Sequence, residues 1–324
     1  MNRINCSLIA LAIFSANCAL AGELIDETRA MEESGIVDIE ITNGKVTITT
    51  WDRNEFHIAG ELSDDAEGFD LRDTGGNIRF EEEREGRSRN QCWRWGDCNR
   101  DSGVTLDIQL PKASILRLEG TNVDIDVSGL TANTEIEVIN GDIFATDLQG
   151  IVKLETVNGS IETSGLNGRI ALETVNGRID DRDSQGSRIE YQAVNGDIRA
   201  TTSAPRITAE NVNGDMELEL GAIDELELST VGGHLEVNTE MNPQAQIDIS
   251  SVGGSIELTL PASTSARFNI NTQVGGRIDN ELSDDEPERT NRYVPSHDLN
   301  FVLNNGNGGV DISTVTGDIE LLSK

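Results

Sequence analysis

A glycine recurs through the second half of the sequence at a nearly constant interval, and this interval limits the choice of folds more than any other feature. The stretch LETVNG at 154–159 is repeated at 172–177, eighteen residues later. Self-similarity at a short fixed period is the signature of repeat architectures in which each unit stacks on the next. The recurring glycines, spaced by 18, 18, 19, 18, 19, 21, 22 and 41 residues, are Gly141, Gly159, Gly177, Gly196, Gly214, Gly233, Gly254, Gly276 and Gly317.

Each repeat is predicted to contain two short strands and two turns. Further glycines at Gly150, Gly168 and Gly186 divide the early repeats into units of about nine residues, which is a strand length plus a turn. The last interval of 41 residues contains a polar, proline-bearing segment, which predicts a surface loop or a widened repeat.

Two columns of apolar residues accompany the glycines. Residues two apart in an extended chain face the same side, so both columns are predicted to point into the core together with the glycine. The residues two positions before the glycine are Ile139, Val157, Val175, Val194, Val212, Val231, Val252, Val274 and Val315. The residues two positions after it are Ile143, Ile161, Ile179, Ile198, Met216, Leu235, Ile256, Ile278 and Ile319.

The Asn-Gly pairs allow two arrangements of these strands. Asn-Gly is the strongest short-range signal for a β-hairpin, which would give an antiparallel meander. Stacking is favoured, because the asparagine is replaced by glycine and then by Thr316 in later repeats, and threonine suits a type I′ turn poorly. The predicted fold is therefore all-β: a single-stranded parallel β-solenoid (β-helix) of about 18–22 residues per coil. Right-handed coiling is the default for parallel crossovers.

The N-terminal residues predict export. Residues 1–21 carry Arg3, then an apolar run, and end in Ala-Leu-Ala before Gly22, which is the plan of a cleaved signal peptide. Cys18 lacks the flanking residues expected of a lipid attachment site. The mature chain is expected in the periplasm, on the cell surface or in the medium, with no membrane span. Residues 22–115 alternate apolar and polar side chains and predict a less regular β region, followed by the solenoid repeats over 116–324.

The stretch QCWRWGDCNR interrupts this region and differs from it in charge. Segment 84–100 has a net charge of +3, and Cys92 and Cys98 predict a local disulfide in a loop spanning 84–104. Tryptophan and arginine are enriched at binding hot spots, which predicts a partner-binding loop. The alternative is that the tryptophans cap one end of the solenoid. The candidate binding residues are Arg87, Arg89, Trp93, Arg94 and Trp95.

The acidic composition of the chain limits the partners that it can bind. The formal net charge is −33, which repels nucleic acid and anionic membrane. Carboxylates also dominate the column three positions after the glycine, where stacking would place like charges side by side. Calcium bound along this column is one hypothesis, and an ordinary solvated face relieved locally by Arg199 is the favoured one. This column comprises Phe144, Glu162, Asp180, Arg199, Glu217, Glu236, Glu257, Asp279 and Glu320.

The motifs of common enzyme classes do not occur in the sequence. It contains no G-x-S-x-G, no H-E-x-x-H and no P-loop, so no catalytic, cofactor-binding or metal-binding residues are predicted. The enzymatic alternative is a carbohydrate-active parallel β-helix of the polysaccharide-lyase type. The small number of lysines and aromatic residues in the repeats argues against it.

Several motifs taken in order resemble the bacterial "putative adhesin" families built from domains of unknown function. The resemblance rests on Asn43-Gly44, on Trp51-Asp52, on Leu110-Pro111-Lys112, on the serial NGDI, NGSI and NGRI turns, and on the closing NNGNGGVDISTVTGDIEL. It implies a β-solenoid at the cell envelope with an adhesive or scaffolding role and no catalytic residues. The expected partner is an envelope protein or polysaccharide.

Overall fold

β-Strands are the regular secondary structure of the chain over the residues that the computed structural model describes, which are 24–63, 66–84, 103–289 and 294–324. No helix occurs within these ranges, and the prediction of an all-β protein is confirmed. The predicted signal peptide and the loop carrying Cys92 and Cys98 lie outside the described residues.

The strands fall into three groups along the chain. The N-terminal strands are β1 (Leu24–Ala30), β2 (Ile36–Trp51), β3 (Glu55–Glu61), β4 (Ala66–Thr74), β5 (Asn77–Arg84), β6 (Val104–Pro111) and β7 (Ile115–Ser128). The strands of the regular repeats are β8 (Thr134–Asn140), β9 (Ile143–Thr146), β10 (Gln149–Asn158), β11 (Ile161–Ser164), β12 (Asn167–Asn176), β13 (Ile179–Asn195), β14 (Ile198–Thr202), β15 (Arg206–Asn213), β16 (Met216–Gly232), β17 (Leu235–Ser251) and β18 (Ile256–Leu260). The C-terminal strands are β19 (Ala266–Thr272), β20 (Ile278–Asn280), β21 (Glu288–Arg289), β22 (His297–Leu303), β23 (Gly308–Thr314) and β24 (Ile319–Ser323).

Successive repeats lie side by side and run in the same direction. Leu154 pairs in register with Ile136 of the preceding repeat and with Leu172 of the following one. We call the surface formed by β8, β10, β12 and β15 the first face, and the surface formed by β9, β11, β14 and β18 the second face. Strands β13, β16 and β17 run through both faces. Parallel pairing between repeats excludes the antiparallel meander.

Both ends of the stack depart from this regular pattern. Antiparallel pairs join β1 to β3, β3 to β6 and β4 to β5 at the N-terminal end, and β19 to β22 and β21 to β22 at the C-terminal end. Strand β7 pairs with β2 along most of its length, so the N-terminal strands and the repeats form continuous sheets.

The last repeat does not stack in chain order. Strand β23 lies between β17 and β19, and β24 lies between β18 and β20. The 41-residue interval therefore contains more than the predicted loop or widened repeat, because it includes the edge strand β22 and the return of the chain into the stack. Residues 308–323 separate two repeats that are consecutive in the sequence.

The thin core is built from the inward side chains of the two faces. Every residue of the column after the glycine is buried, as predicted, from Ile143 to Ile319. Burial of each of these aliphatic side chains contributes about 1.5–3 kcal/mol. The column before the glycine was predicted to be buried as well, and this prediction is wrong.

The alternation of the strand breaks at the corner that contains the glycine. Thr156, three positions before the glycine, is buried, whereas the next two residues, Val157 and Asn158, are both exposed. The hydroxyl of Thr156 donates to the carbonyl oxygen of Gly141 at 3.1 Å, so the inward position at the corner satisfies a backbone acceptor. The residues in this inward column are Val138, Thr156, Thr174, Ala193, Asn211, Thr230, Ser251 and Thr314.

The recurring glycine is required by close approach of the backbones of adjacent repeats. A Cβ atom on Gly177 would lie 1.8 Å from the carbonyl oxygen of Gly159, and a Cβ on Gly159 would lie 1.9 Å from that of Gly141. No side chain fits these distances without displacement of the backbone. The constant spacing seen in the sequence is thus a packing requirement of the stack.

Candidate functional site

An uninterrupted row of exposed aliphatic side chains runs along the corner next to the glycines. Its members are 38–50% exposed, apart from the half-buried Val315. At a strand spacing of about 4.8 Å the row is about 38 Å long. We call it the valine ridge. In stacking order it comprises Ile139, Val157, Val175, Val194, Val212, Val231, Val252, Val315 and Val274.

A ladder of asparagine side chains borders the first part of the ridge. Each Nδ2 donates to the Oδ1 of the asparagine in the preceding repeat, at 2.8–3.1 Å. Next to it, Asp142 Oδ1 accepts the backbone N–H of Ser160 at 2.7 Å, and Asp215 Oδ1 accepts that of His234 at 2.7 Å. The Asn-Gly-Asp motif therefore holds adjacent repeats together. The ladder consists of Asn122, Asn140, Asn158, Asn176, Asn195 and Asn213.

The surroundings of the ridge change along its length. In the first part, the outward residue two positions before each ridge residue is a carboxylate, at Glu137, Glu155 and Glu173. Beside Val231, Val252 and Val315 that position is serine, and the asparagine is replaced by glycine or by Thr316. The exposure of the valines rises from 38–40% at Val157–Val212 to 47–50% at Val231, Val252 and Val274. The C-terminal part of the ridge is therefore an apolar strip that lacks the carboxylates bordering the first part. The bordering serines are Ser229, Ser250 and Ser313.

An acidic groove lies at the other end of the ridge. It has a volume of about 470 Å³, and its lining includes the stacked carboxylates Glu40, Glu81, Glu119, Glu137 and Glu155.

A lysine beside this groove neutralises part of its charge. Lys153 Nζ lies 2.7 Å from Glu155, 3.1 Å from Glu137 and 3.6 Å from Glu135. The hydrogen bond to Glu155 raises the pKa of Lys153 well above its usual range, and Glu137 adds to the effect. Partial burial, followed by repulsion from Glu155, raises the pKa of the next carboxyl in the column, Glu173.

The predicted acidic column on the second face is present and in register. Glu217 pairs with Glu236, Glu236 with Glu257, and Glu257 with Glu320. Arg199 Nε bonds Glu217 Oε2 at 2.9 Å, so it relieves the repulsion locally, as predicted. Within the ranges that the structure describes, no group of three or more His, Cys, Asp or Glu side chains is arranged to hold a metal ion.

Comparison with models of protein families tests the resemblance that the sequence motifs indicate. Residues 36–322 match the model of the Toastrack DUF4097 family. The chain belongs to the Toastrack DUF4097 family. The predicted resemblance to adhesin-like domains of unknown function is confirmed. No curated protein matches this Toastrack chain.

The solved structures that match the Toastrack chain share little sequence with it. A "putative adhesin" from Bacteroides fragilis is 11% identical, with a TM-score of 0.39, and the match covers 93% of this chain and 97% of that one. A "putative cell adhesion protein" from Clostridium sporogenes is 11% identical, with a TM-score of 0.23 and coverage of 93% and 100%. A "putative lipid binding protein" from Parabacteroides distasonis is 9% identical, with a TM-score of 0.36 and coverage of 93% and 97%.

The predicted partner-binding loop of the Toastrack chain stays a prediction. Arg87, Arg89, Trp93, Arg94 and Trp95 all lie between residues 85 and 102, outside the described ranges. In the part of the chain that the structure does describe, no helix is long and apolar enough to cross a membrane. The valine ridge was missed as a surface because the period-two pattern was extended through the corner.

Proposed function

We propose that this Toastrack protein is an exported, non-catalytic binding protein of the cell envelope, with an adhesive or scaffolding role. Its body is best classed as a single-stranded parallel β-solenoid whose two ends are covered by antiparallel strands. The observation that carries the proposal is the valine ridge, a long apolar row kept at the surface of a strongly acidic chain.

The fold itself does not need aliphatic residues on the ridge. The equivalent corner positions in the N-terminal strands are threonines, Thr42 and Thr121, which precede the paired residues Asn43 and Asn122. A polar side chain is thus compatible with the corner. Extended exposed apolar surface in a protein of this kind marks a site of interaction. We therefore assign the ridge to binding rather than to stability.

A ridge variant tests this assignment. Val231→Thr, Val252→Thr and Val274→Thr together remove the apolar strip with residues that the corner accepts elsewhere in the chain. We expect the purified variant to bind isolated cell envelopes about tenfold or more weakly in a sedimentation assay, while its Tm stays that of the wild type. The control is Val302→Thr, which changes an exposed valine in β22, away from the ridge. Unchanged sedimentation of the triple variant would exclude the ridge as the binding surface.

A carbohydrate-active enzyme is the second candidate function. The observation in its favour is the convergence of Lys153 with Glu137 and Glu155 beside the acidic groove. A polysaccharide lyase needs a basic side chain here that accepts a proton from the substrate. The raised pKa keeps Lys153 protonated at neutral pH, which argues against that role. Release of unsaturated sugar ends from acidic polysaccharides, lost in Lys153→Met, would support the enzyme instead.

Export is part of the proposal and rests on residues 1–21. The expected mature chain begins at Gly22, and Cys92 and Cys98 are expected to be joined by a disulfide in the oxidising compartment. N-terminal sequencing of the protein recovered from each cell fraction tests the cleavage before Gly22. Its mass before and after reduction tests the disulfide. A retained leader in the cytoplasmic fraction would contradict export.

A further inference from the structure

Three arginines are stacked in one column on the first face. Arg169 of β12 pairs in register with Arg188 of β13, and Arg206 of β15 lies next in the column, because Ile207 pairs with Ile189. All three side chains are exposed. Adjacent strands place their Cα atoms about 4.8 Å apart, so the three guanidinium groups form a short straight row. We call these residues the arginine row.

The row differs from most other basic residues in having no acidic partner. Within the described chain, no carboxylate lies within 4.0 Å of any of its three guanidinium groups, and Arg188 Nη2 donates only to Thr208 Oγ1 at 3.2 Å. Glu225 is the in-register neighbour of Arg206 and closes the row without forming an ion pair. Basic residues that do form ion pairs include Arg29, Arg79, Lys112, Arg117, Lys153, Arg182, Arg199, Arg277 and Lys324.

The fold does not require arginine in this column. The preceding repeats carry Asn133 and Ile151 at the same position, and later strands carry Gln246 and Gly309. Like charges placed directly opposite each other in neighbouring strands are destabilising. A row of three unpaired arginines is thus an unfavourable arrangement that an anionic ligand would relieve.

Glycines and small side chains flank most of the arginine row. The glycine column, Gly168 and Gly186, runs along one side. On the other side the outward residues are Ala171, Glu190 and Thr208, of which Glu190 accepts a hydrogen bond from Gln192 Nε2 at 2.8 Å. Small side chains leave the guanidinium groups open to a ligand that lies across the strands. Ile151, which is 49% exposed, extends the row with an apolar contact.

We propose that the arginine row binds a linear acidic polysaccharide through successive oxyanion groups. Arginine presents a planar fork of donors that matches carboxylate and sulfate oxygens, and the row offers three forks in succession. The surrounding charge of −33 selects against a densely charged polymer such as duplex DNA, which carries one charge per about 1.7 Å. A polysaccharide with one charge per sugar is less strongly repelled beyond the row. This proposal rests on the proposed function and names a ligand class for it.

The test measures binding of defined polysaccharides by isothermal titration. The probes are polygalacturonate fragments for carboxylate, sparsely sulfated dextran for sulfate and unmodified dextran as the neutral polymer. The variant is Arg169→Gln, Arg188→Gln and Arg206→Gln. The control, Arg79→Gln, Arg199→Gln and Arg277→Gln, changes the net charge equally but removes arginines that hold ion pairs.

We expect the wild type to bind polygalacturonate and the row variant to bind it at least about tenfold more weakly, while the control variant retains most of the affinity. The logarithm of the association constant should fall with the logarithm of salt concentration with a slope of roughly −2 to −3, as three contacts require. Binding of the sparsely sulfated dextran alone, lost in the row variant, supports the proposal with sulfate as the recognised group.

Three results would overturn it: equal binding by the row variant, equal loss in the control, or equal affinity for dextran or a single-stranded oligonucleotide. If the triple variant does not fold, Arg188→Gln alone gives the same comparison. The ridge variant Val231→Thr, Val252→Thr and Val274→Thr should bind polygalacturonate normally, so failure of the arginine row and failure of the envelope-binding function are separate results.

Discussion

At the scale of single residues, the least expected feature is a carboxyl group buried in the thin core. Asp181 is 1% exposed, and its oxygens accept hydrogen bonds from Thr163 at 2.6 Å, Ser184 at 2.5 Å and Tyr191 at 2.6 Å. Burial raises the pKa of Asp181, and the three hydroxyl donors oppose that rise. Burial also raises the pKa of the Tyr191 hydroxyl well above its usual value. The core therefore contains a polar cluster that titrates.

This cluster predicts a specific pH dependence of stability. The pKa of Asp181 is higher in the folded chain than in the unfolded chain, so the native state binds more protons between the two values, and stability falls as pH rises through that window. We expect the free energy of unfolding of the wild type, relative to Asp181→Asn, to decrease as the pH rises above about 4, the ordinary pKa of an aspartate carboxyl. Denaturant titrations at each pH measure it. The exposed Asp126→Asn serves as control, and a difference independent of pH would contradict the prediction.

At the scale of the elements, the sequence predicts the burial of residues in the regular strands and fails where the repeat pattern is interrupted. The buried column from Ile143 to Ile319 follows from alternation along a strand. The exposure of Val157 could not be predicted in this way. Val157 and Asn158 both point outward at the corner, so inward and outward positions do not alternate there. The arginine row was missed for a related reason. The bulge between Gly168 and Arg169 shifts the spacing to the next repeat by one residue, which hides the alignment in the sequence.

The order of the last repeats could not be predicted from the sequence at all. The motif Val315-Thr316-Gly317 fits any position in the stack, because each repeat offers the next the same backbone and apolar surface. Ile319 in fact lies between Ile256 and Ile278, which makes Ile278 the last residue of its column in the described chain.

This inserted order predicts which of two isoleucines matters more for stability. Ile319→Ala leaves a cavity enclosed by neighbours on both sides and should lower the free energy of unfolding by about 3–5 kcal/mol. Ile278→Ala lies at the end of the stack, where the chain relaxes more easily, and should cost about 2 kcal/mol or less. Denaturant unfolding at one pH gives both values. A larger effect for Ile278 would indicate that the repeats stack in chain order instead.

At the scale of the whole molecule, the dominant property is the excess of negative charge arranged in rows. On the second face, Glu236, Glu257, Glu320 and Asp279 follow one another in register, and adjacent carboxylates about 4.8 Å apart repel by roughly 1 kcal/mol in water. Regular hydrogen bonding of the backbone fixes the strands at this spacing, so the side chains reduce the repulsion only by turning away from each other. Folding therefore concentrates charge that the unfolded chain would spread out.

Salt should stabilise this protein, because the screening length falls from about 10 Å at 0.1 M to about 3 Å at 1 M. We expect Tm to rise by several degrees over this range of sodium chloride, and Glu257→Gln with Glu320→Gln to raise Tm at low salt and to flatten the response. Glu217→Gln is the control, since Glu217 already bonds Arg199 and its removal should not raise Tm. Calcium chloride at equal ionic strength separates the two hypotheses for the column. A larger rise than in sodium chloride, abolished by the double variant, would favour bound calcium, and equal rises would assign the effect to screening of an ordinary solvated face. A Tm unmoved by either salt would show that the rows of carboxylates do not limit the stability of the stack.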